Sequence, residues 1–169
     1  TGLGKDVVYG AVGLLVPNWL IVKPTQNMRI DGVDFVFHNV PNAECPAELT
    51  FSIPDKKLYD GAENLAQTMH NLLPIRGAKA RDALRWSNYL DQALDQMEGM
   101  DVYIASHNWP IWGNANIRKF ITVHRDVYKY MHDQTLRLMN QGYTAREIAD
   151  MVKLPQSLSQ HLGARGYYG

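Results

Sequence analysis

Three short stretches hold the residues best suited to chemistry: Asn42-Ala43-Glu44-Cys45-Pro46-Ala47-Glu48, Asp60-Gly61-Ala62-Glu63-Asn64 and Ser106-His107-Asn108-Trp109-Pro110. Each follows a run that reads as a β-strand, and each carries a carboxylate or an imidazole. Rigid strands hold the side chains beyond their ends in fixed positions, while the loops admit a ligand. Carboxylates and imidazole arriving from successive strand ends form a donor set that suits zinc, with N and O ligands at about 2 Å. Two such ions can share a carboxylate, polarise a substrate oxygen and bring bound water toward a neutral pKa. Glu and His are also ordinary solvated turn residues, so the pattern alone leaves both readings open.

The elements that must position these turns are legible in the hydrophobic pattern. Val33-Asp34-Phe35-Val36-Phe37 alternates with period two after Asp31-Gly32, a dipeptide that favours a tight hairpin turn. Glu48 to Ile53 alternates again and is closed by Pro54-Asp55, and Lys57-Leu58-Tyr59 is a further short strand. Before them, Leu20-Ile21-Val22 is a brief apolar run behind a glycine-punctuated opening. Ala83, Trp86, Leu90, Ala93 and Met97 recur at helical steps, which predicts a helix from Ala78 to about Glu98, stopped by Gly99. Val102 to Ala105 reads as a buried strand. A second long helix is expected from Ile117 to Asn140, closed by Gly142. Thr144-Ala145-Arg146-Glu147 has capping-box spacing, and Pro155 opens a last helix to about Leu162. The class changes near Gly113, from strands around one helix to helices alone.

Composition bounds the alternatives. The chain has 169 residues, 46% of them hydrophobic, and 17 basic against 17 acidic side chains. That suits one domain or slightly more, excludes a disordered tail, and excludes a chain built mainly to hold nucleic acid. The C-terminal part from residue 117 is mildly basic, with 8 Lys and Arg against 4 Asp and Glu. A single cysteine, Cys45, rules out an internal disulfide and a thiolate zinc finger. No stretch approaches the roughly 18 apolar residues of a membrane span. The first and last residues, Thr1-Gly2-Leu3-Gly4 and Gly166-Tyr167-Tyr168-Gly169, suggest a fragment.

Several longer runs carry a resemblance. Glu44-Cys45-Pro46-Ala47-Glu48, Ala62-Glu63-Asn64, His70-Asn71-Leu72, Arg76-Gly77-Ala78, Ser106-His107-Asn108-Trp109-Pro110-Ile111-Trp112-Gly113, Arg125-Asp126, Tyr130-Met131-His132-Asp133-Gln134-Thr135 and Arg165-Gly166-Tyr167-Tyr168-Gly169 resemble the zinc-dependent alkylsulfatases of the metallo-β-lactamase superfamily. The resemblance implies an α+β fold: the second half of an αββα sandwich over 1–116, then helices of a dimerisation region over 117–169. It implies hydrolysis of alkyl sulfate esters such as dodecyl sulfate at a pair of zinc ions. It further implies Glu44 (ahead of Glu48), Glu63 and His107 as metal ligands. Arg76 matches the family arginine that holds the sulfate, where a planar guanidinium fork suits a tetrahedral oxyanion. Asn71 could add a neutral donor, and His70, as a side chain that titrates near neutrality, is the candidate general acid. The superfamily's His-x-His-x-Asp-His motif is absent from this sequence, so the chain by itself is expected to bind zinc poorly and to hydrolyse nothing. The expected partners are the sulfate ester and a second subunit, with no nucleic acid and no membrane span, and a bacterial periplasmic or secreted setting is plausible by resemblance.

Competing readings rest on the C-terminal third. Residues 144–162 have the rhythm of a helix-turn-helix, with Gln156, Ser157, Ser159 and Gln160 as candidate base readers. Few basic residues accompany them, and phosphate contacts dominate such binding. The long helix carries Ile117, Phe120, Ile121, His124, Tyr128, Met131, Leu136 and Met139, enough apolar surface for a second subunit or for packing on the sheet. A thioester or lactone hydrolase of the same fold is a further alternative, which Arg76 disfavours. Trp109 and Trp112 could wall an alkyl channel, but a place in the core under the long helix is expected.

Overall fold

In a computed structural model, which describes residues 10–74 and 77–166, one six-stranded sheet runs in chain order from β1 to β6. The strands are β1 (Thr25–Ile30), β2 (Val33–Asn39), β3 (Leu49–Ile53), β4 (Leu58–Asp60), β5 (Val102–Ile104) and β6 (Ile111–Trp112). All neighbours are antiparallel except β4 and β5, which are parallel. The parallel pair exists because α1 (Ala83–Gln96) crosses between them. After β6 the chain is helical: α2 (Asn114–Asn140), α3 (Ala145–Met151) and α4 (Gln156–Ser159).

β1 is polar, Thr25-Gln-Asn-Met-Arg-Ile, and carries no alternation that would announce it. It forms because Asp31 and Gly32, with φ of 48° and 82°, turn the chain back onto β2 in the left-handed region such hairpins need. As an edge strand it tolerates its polarity. The apolar run Leu20–Val22 forms no strand. Helix α1 starts at Ala83, five residues later than expected, because the Asp82 side chain caps it by accepting from the Arg85 N–H at 2.9 Å. The capping box of α3 is present as expected. α4 spans only four residues, about one turn, rather than reaching Leu162.

The sheet's inner face is the less apolar one. His38, Thr50, Ser52, Tyr59 and Tyr103 lie buried on the side covered by α1, where the Thr50 hydroxyl meets the Tyr59 hydroxyl at 2.8 Å and Tyr59 donates to Gln96 on α1 at 2.7 Å. Such pairing is what allows polar groups inside. On the opposite, half-buried face Phe35 stacks on Phe37, and both meet the Phe51 ring at a tilt. The helical stripe behaves as expected: Ala83, Trp86, Leu90, Ala93 and Met97 are all buried. They share one core with Tyr59, Tyr103 and, from α2, Ile117, Ile121 and Tyr128. Trp109 and Trp112, expected in the core, are 86% and 64% exposed. Each sits at or beside the two-residue edge strand β6, which has no further strand to cover it.

His124 on α2 is fully buried, and its Nδ1 donates to the Gly163 carbonyl at 3.0 Å. Burial holds its pKa down at about 4. The unfolded chain therefore binds a proton between pH 6.5 and 4 that the folded chain refuses, and stability falls as pH drops through that window. The expected loss is about 2 kcal/mol at pH 5, a fall of about 5 °C in melting temperature. Other groups titrate in the same window, Glu48 with the opposite sign, so the reading is the difference. His124→Asn, which keeps a donor and does not titrate, should gain about 5 °C on the parent between pH 7.5 and 5, and a difference that stays constant with pH would contradict this assignment.

Candidate metal centre

Because β2 and β4 both run antiparallel to β3, and β5 runs parallel to β4, the ends of β2, β4 and β5 lie at one edge of the sheet. The three turns singled out by sequence are therefore neighbours. Backbone bonds fix the spacing of two of them: the Gly61 N–H donates to the Ile104 carbonyl at 2.8 Å, and the Ser106 N–H to the Ala62 carbonyl at 3.1 Å. Gly61 is required there, since a Cβ would lie 2.6 Å from both Leu65 Cβ and the Tyr103 hydroxyl. In these turns Asn42, Ala62 and Asn108 adopt φ of 64°, 49° and 71°. For Ala62 that conformation costs roughly 1–2 kcal/mol, strain of a kind that clusters at functional sites.

Glu63 is the junction of the site. Its Oε1 lies 2.7 Å from His107 Nε2, and its Oε2 lies 3.6 Å from His70 Nε2. Oε2 is buried without a hydrogen-bond partner among the described residues. A buried carboxylate oxygen left in that state, with the His107 imidazole at the other oxygen of the same carboxylate, is a donor set that fits a zinc ion. Glu48 ties the first turn to the second, its Oε1 accepting from the Asn64 N–H at 2.8 Å. Burial, reinforced by the charge of Glu44, pushes its pKa up to about 7. Cys45 lies in the same turn, with one ligand atom each of Glu44, Cys45 and Glu48 within 4.8 Å of one another. Burial and the charge of Glu48 raise its thiol pKa to about 11, so it is a protonated thiol at neutral pH.

His70 stands on the loop before α1, buried between Trp86 and the Glu63 turn. Its backbone N–H donates to the Tyr128 hydroxyl at 2.9 Å, and Tyr128 stacks on Trp86 with ring centroids 4.6 Å apart. Trp86 in turn donates its indole N–H to the Asn64 carbonyl. Two helices thus clamp the loops that carry His70 and Glu63. Burial, then the cation of Arg81, lowers the His70 pKa. Arg81 Nη1 stands 3.1 Å from His70 Nδ1. A cation there favours the lone pair on Nδ1, which puts the proton of the neutral ring on Nε2. The Asn71 carbonyl, 3.4 Å from Nδ1, is the weaker neighbour.

Of the residues expected from sequence, Glu44, Glu63, His70, Asn71 and His107 are gathered at this edge. Arg76 lies outside the described residues. Glu44 turns its Oε1 to Arg81, and Asn71 gives that guanidinium both its side-chain oxygen, at 2.6 Å, and its carbonyl, at 2.7 Å. Arg81 was not expected here. It falls in the stretch whose periodicity reads as helix, where an arginine passes for a solvated residue. The signal that could have found it is Asp82, a helix-capping residue that places Arg81 before the helix rather than on it.

No family model matches the chain. Its relatives are specific. It is 43% identical over 169 residues to the alkyl/aryl-sulfatase BDS1 of Saccharomyces cerevisiae, covering 99% of this chain and 26% of that protein. It is 44% identical over 170 residues to a linear primary-alkylsulfatase from Pseudomonas sp, covering 25% of it. The chain is homologous to the alkylsulfatases over its whole length. The solved structure of the stereoselective inverting sec-alkylsulfatase Pisa1 from Pseudomonas sp. superimposes with a TM-score of 0.89 at 40% identity, over 92% of this chain and 25% of that one. The α+β fold expected from the resemblance is accordingly that of a portion of an alkylsulfatase. The chain spans about a quarter of the length of the alkylsulfatases it matches. No helix among the described residues is long and apolar enough to cross a membrane.

Proposed function

We propose that the protein hydrolyses sulfate esters of alkyl alcohols, and that this chain supplies the Glu44–Glu63–His107 part of a binuclear zinc site. The observation that carries the reading is Glu63, whose carboxylate joins His107 and His70 in a chain homologous throughout to alkylsulfatases. Zinc, when bound, supplies a Lewis acid and a water of near-neutral pKa. Water and the ester R–O–SO3⁻ give the alcohol and hydrogen sulfate by attack at sulfur or at carbon; attack at sulfur requires one proton at the departing alkoxide oxygen, and attack at carbon makes sulfate the leaving group. Its lowered pKa keeps His70 largely neutral, so in the general-acid position it would act as a hydrogen-bond donor through Nε2–H from the Glu63 side of the site, the transferred proton coming from the attacking water. Arg76 and Asn71 would hold the sulfate oxygens, Asn71 through its amide nitrogen, since its oxygen is engaged by Arg81.

Further ligands come from outside this set, because two carboxylates and one imidazole are too few for two ions. The half-buried aromatic face of Phe35, Phe37 and Phe51 suits the packing of a second sheet. The boundary between the hydrolase half and the helical region, expected at 116/117, would fall inside the first turn of α2, and we put it instead at Gly113, the residue that precedes the helix. Leu136, Met139 and Met151, 46%, 57% and 45% exposed, support a homodimer through those helices.

The test is turnover by the protein at its native length. It should release inorganic sulfate from dodecyl sulfate, stop when stripped of metal by a chelator, and recover with zinc. Arg76→Ala should lower sulfate-ester turnover by about a hundredfold or more, the loss of a charge-assisted pair with the anion being worth about 3 kcal/mol. Turnover of a neutral thioester or lactone in preference to dodecyl sulfate would overturn the reading.

A further inference from the structure

We infer that Arg81 is the positioning residue of this site: a buried guanidinium that locks Glu44, His70 and Asn71 into one arrangement and sets the direction from which Glu44 can meet a metal. The inference rests on the proposed metal site and deepens it.

The side chain of Arg81 is only 3% exposed, so it has no surface with which to receive a ligand. All its reach is spent on site residues. Nη2 binds Glu44 Oε1, Nε donates to the Glu44 carbonyl at 3.3 Å, and Nη1 faces both Asn71 oxygens and His70 Nδ1. Its backbone does the same work: the Arg81 N–H donates to the Leu72 carbonyl at 2.8 Å, and the next N–H, of Asp82, to the Ala43 carbonyl at 3.1 Å. Two loops distant in sequence, 42–44 and 70–72, are thereby stapled to the two residues before α1.

Three consequences follow from the geometry. With Oε1 engaged, Glu44 meets a cation through its other oxygen. With the cation beside Nδ1, the proton of His70 stays on the ring nitrogen facing Glu63. With its oxygen committed, the Asn71 amide is fixed as a donor. A guanidinium performs all three at once because its donors lie in one rigid plane and point in several directions. A lysine ammonium keeps the charge but is a point donor on a flexible stem. Partners of this kind, behind the ligands themselves, typically govern about 10–100-fold in metal affinity.

The experiment compares Arg81→Lys and Arg81→Met in the protein at its native length. Zinc affinity is read by competition with a chromophoric chelator, and coordination by the visible spectrum of the cobalt-substituted protein. Arg81→Met should bind zinc about 10–100-fold more weakly. Arg81→Lys should remain folded by circular dichroism, recover only part of that loss, and show altered cobalt bands. If Arg81→Met does not fold, Arg81→Lys decides alone. A folded Arg81→Lys protein with zinc affinity within about twofold of the parent would overturn the positioning role and leave the metal reading standing. A parent protein that takes up no zinc would overturn the metal reading itself, and the positioning role with it.

Discussion

In the protein at its native length, if the proposed function holds, Glu63→Gln is expected to abolish zinc retention and, with it, turnover. The substitution is nearly isosteric, but it replaces the carboxylate that lies 2.7 Å from His107 and 3.6 Å from His70 with a neutral amide, a poor partner for zinc. A ligand position should cost more than the roughly 10–100-fold that partners behind the ligands govern in metal affinity. Lewis-acid stabilisation of the transition state is worth several kcal/mol, so turnover should fall on the order of a thousandfold. The fold should survive, because Glu63 is on a turn and contributes nothing to the hydrophobic core. Zinc content by elemental analysis after gel filtration, with dodecyl sulfate hydrolysis on the same sample, checks both parts. Normal zinc content in a folded Glu63→Gln protein would remove Glu63 from the metal site.

Trp86→Ala is expected to cause the largest loss of stability. Trp86 is fully buried, stacks on Tyr128, contacts the His70 ring and donates to the Asn64 carbonyl. Truncating a buried tryptophan typically costs about 3–5 kcal/mol, and here the Asn64 carbonyl also loses its donor. For a chain of this size that corresponds to a fall of roughly 10 °C in melting temperature. Because Asn64 follows Glu63, zinc affinity should decline alongside stability. Trp86→Phe keeps the stacking and loses only the hydrogen bond, and should restore most of the melting temperature. A Trp86→Ala protein melting within about 2 °C of the parent would show that the helices do not clamp the site loops as described.

The contrast between these two residues and Arg81 shows what a sequence can disclose. Glu44 stands just beyond a run whose alternation marks it as a strand, and Glu63 and His107 just beyond a short strand candidate and a continuous apolar run; strand ends are where a sheet exposes side chains to a common edge. Trp86 lies on a stripe with helical period, so its burial follows from the pattern. What the pattern lacks is strand order. That the β4 and β5 turns are adjacent depends on α1 crossing between them, a long-range consequence of packing Trp86, Leu90 and Met97 against Tyr59 and Tyr103. Arg81 was hidden for a local reason: continuing the helical period back to Ala78 turns a buried loop residue into an apparent surface one. β1 was hidden because an edge strand is free to be polar, and Trp109 and Trp112 misled because aromatic side chains beside such a strand lack a neighbour to cover them.

The central claim is that Glu63 and His107 share a zinc ion, and the most direct measurement is an anomalous difference map at the zinc absorption edge, from crystals of the protein at its native length grown with zinc. The account predicts a zinc peak about 2.0–2.2 Å from both a Glu63 oxygen and a His107 ring nitrogen. A protein that binds zinc with no peak at Glu63, or only within the Glu44–Cys45–Glu48 turn, would contradict it.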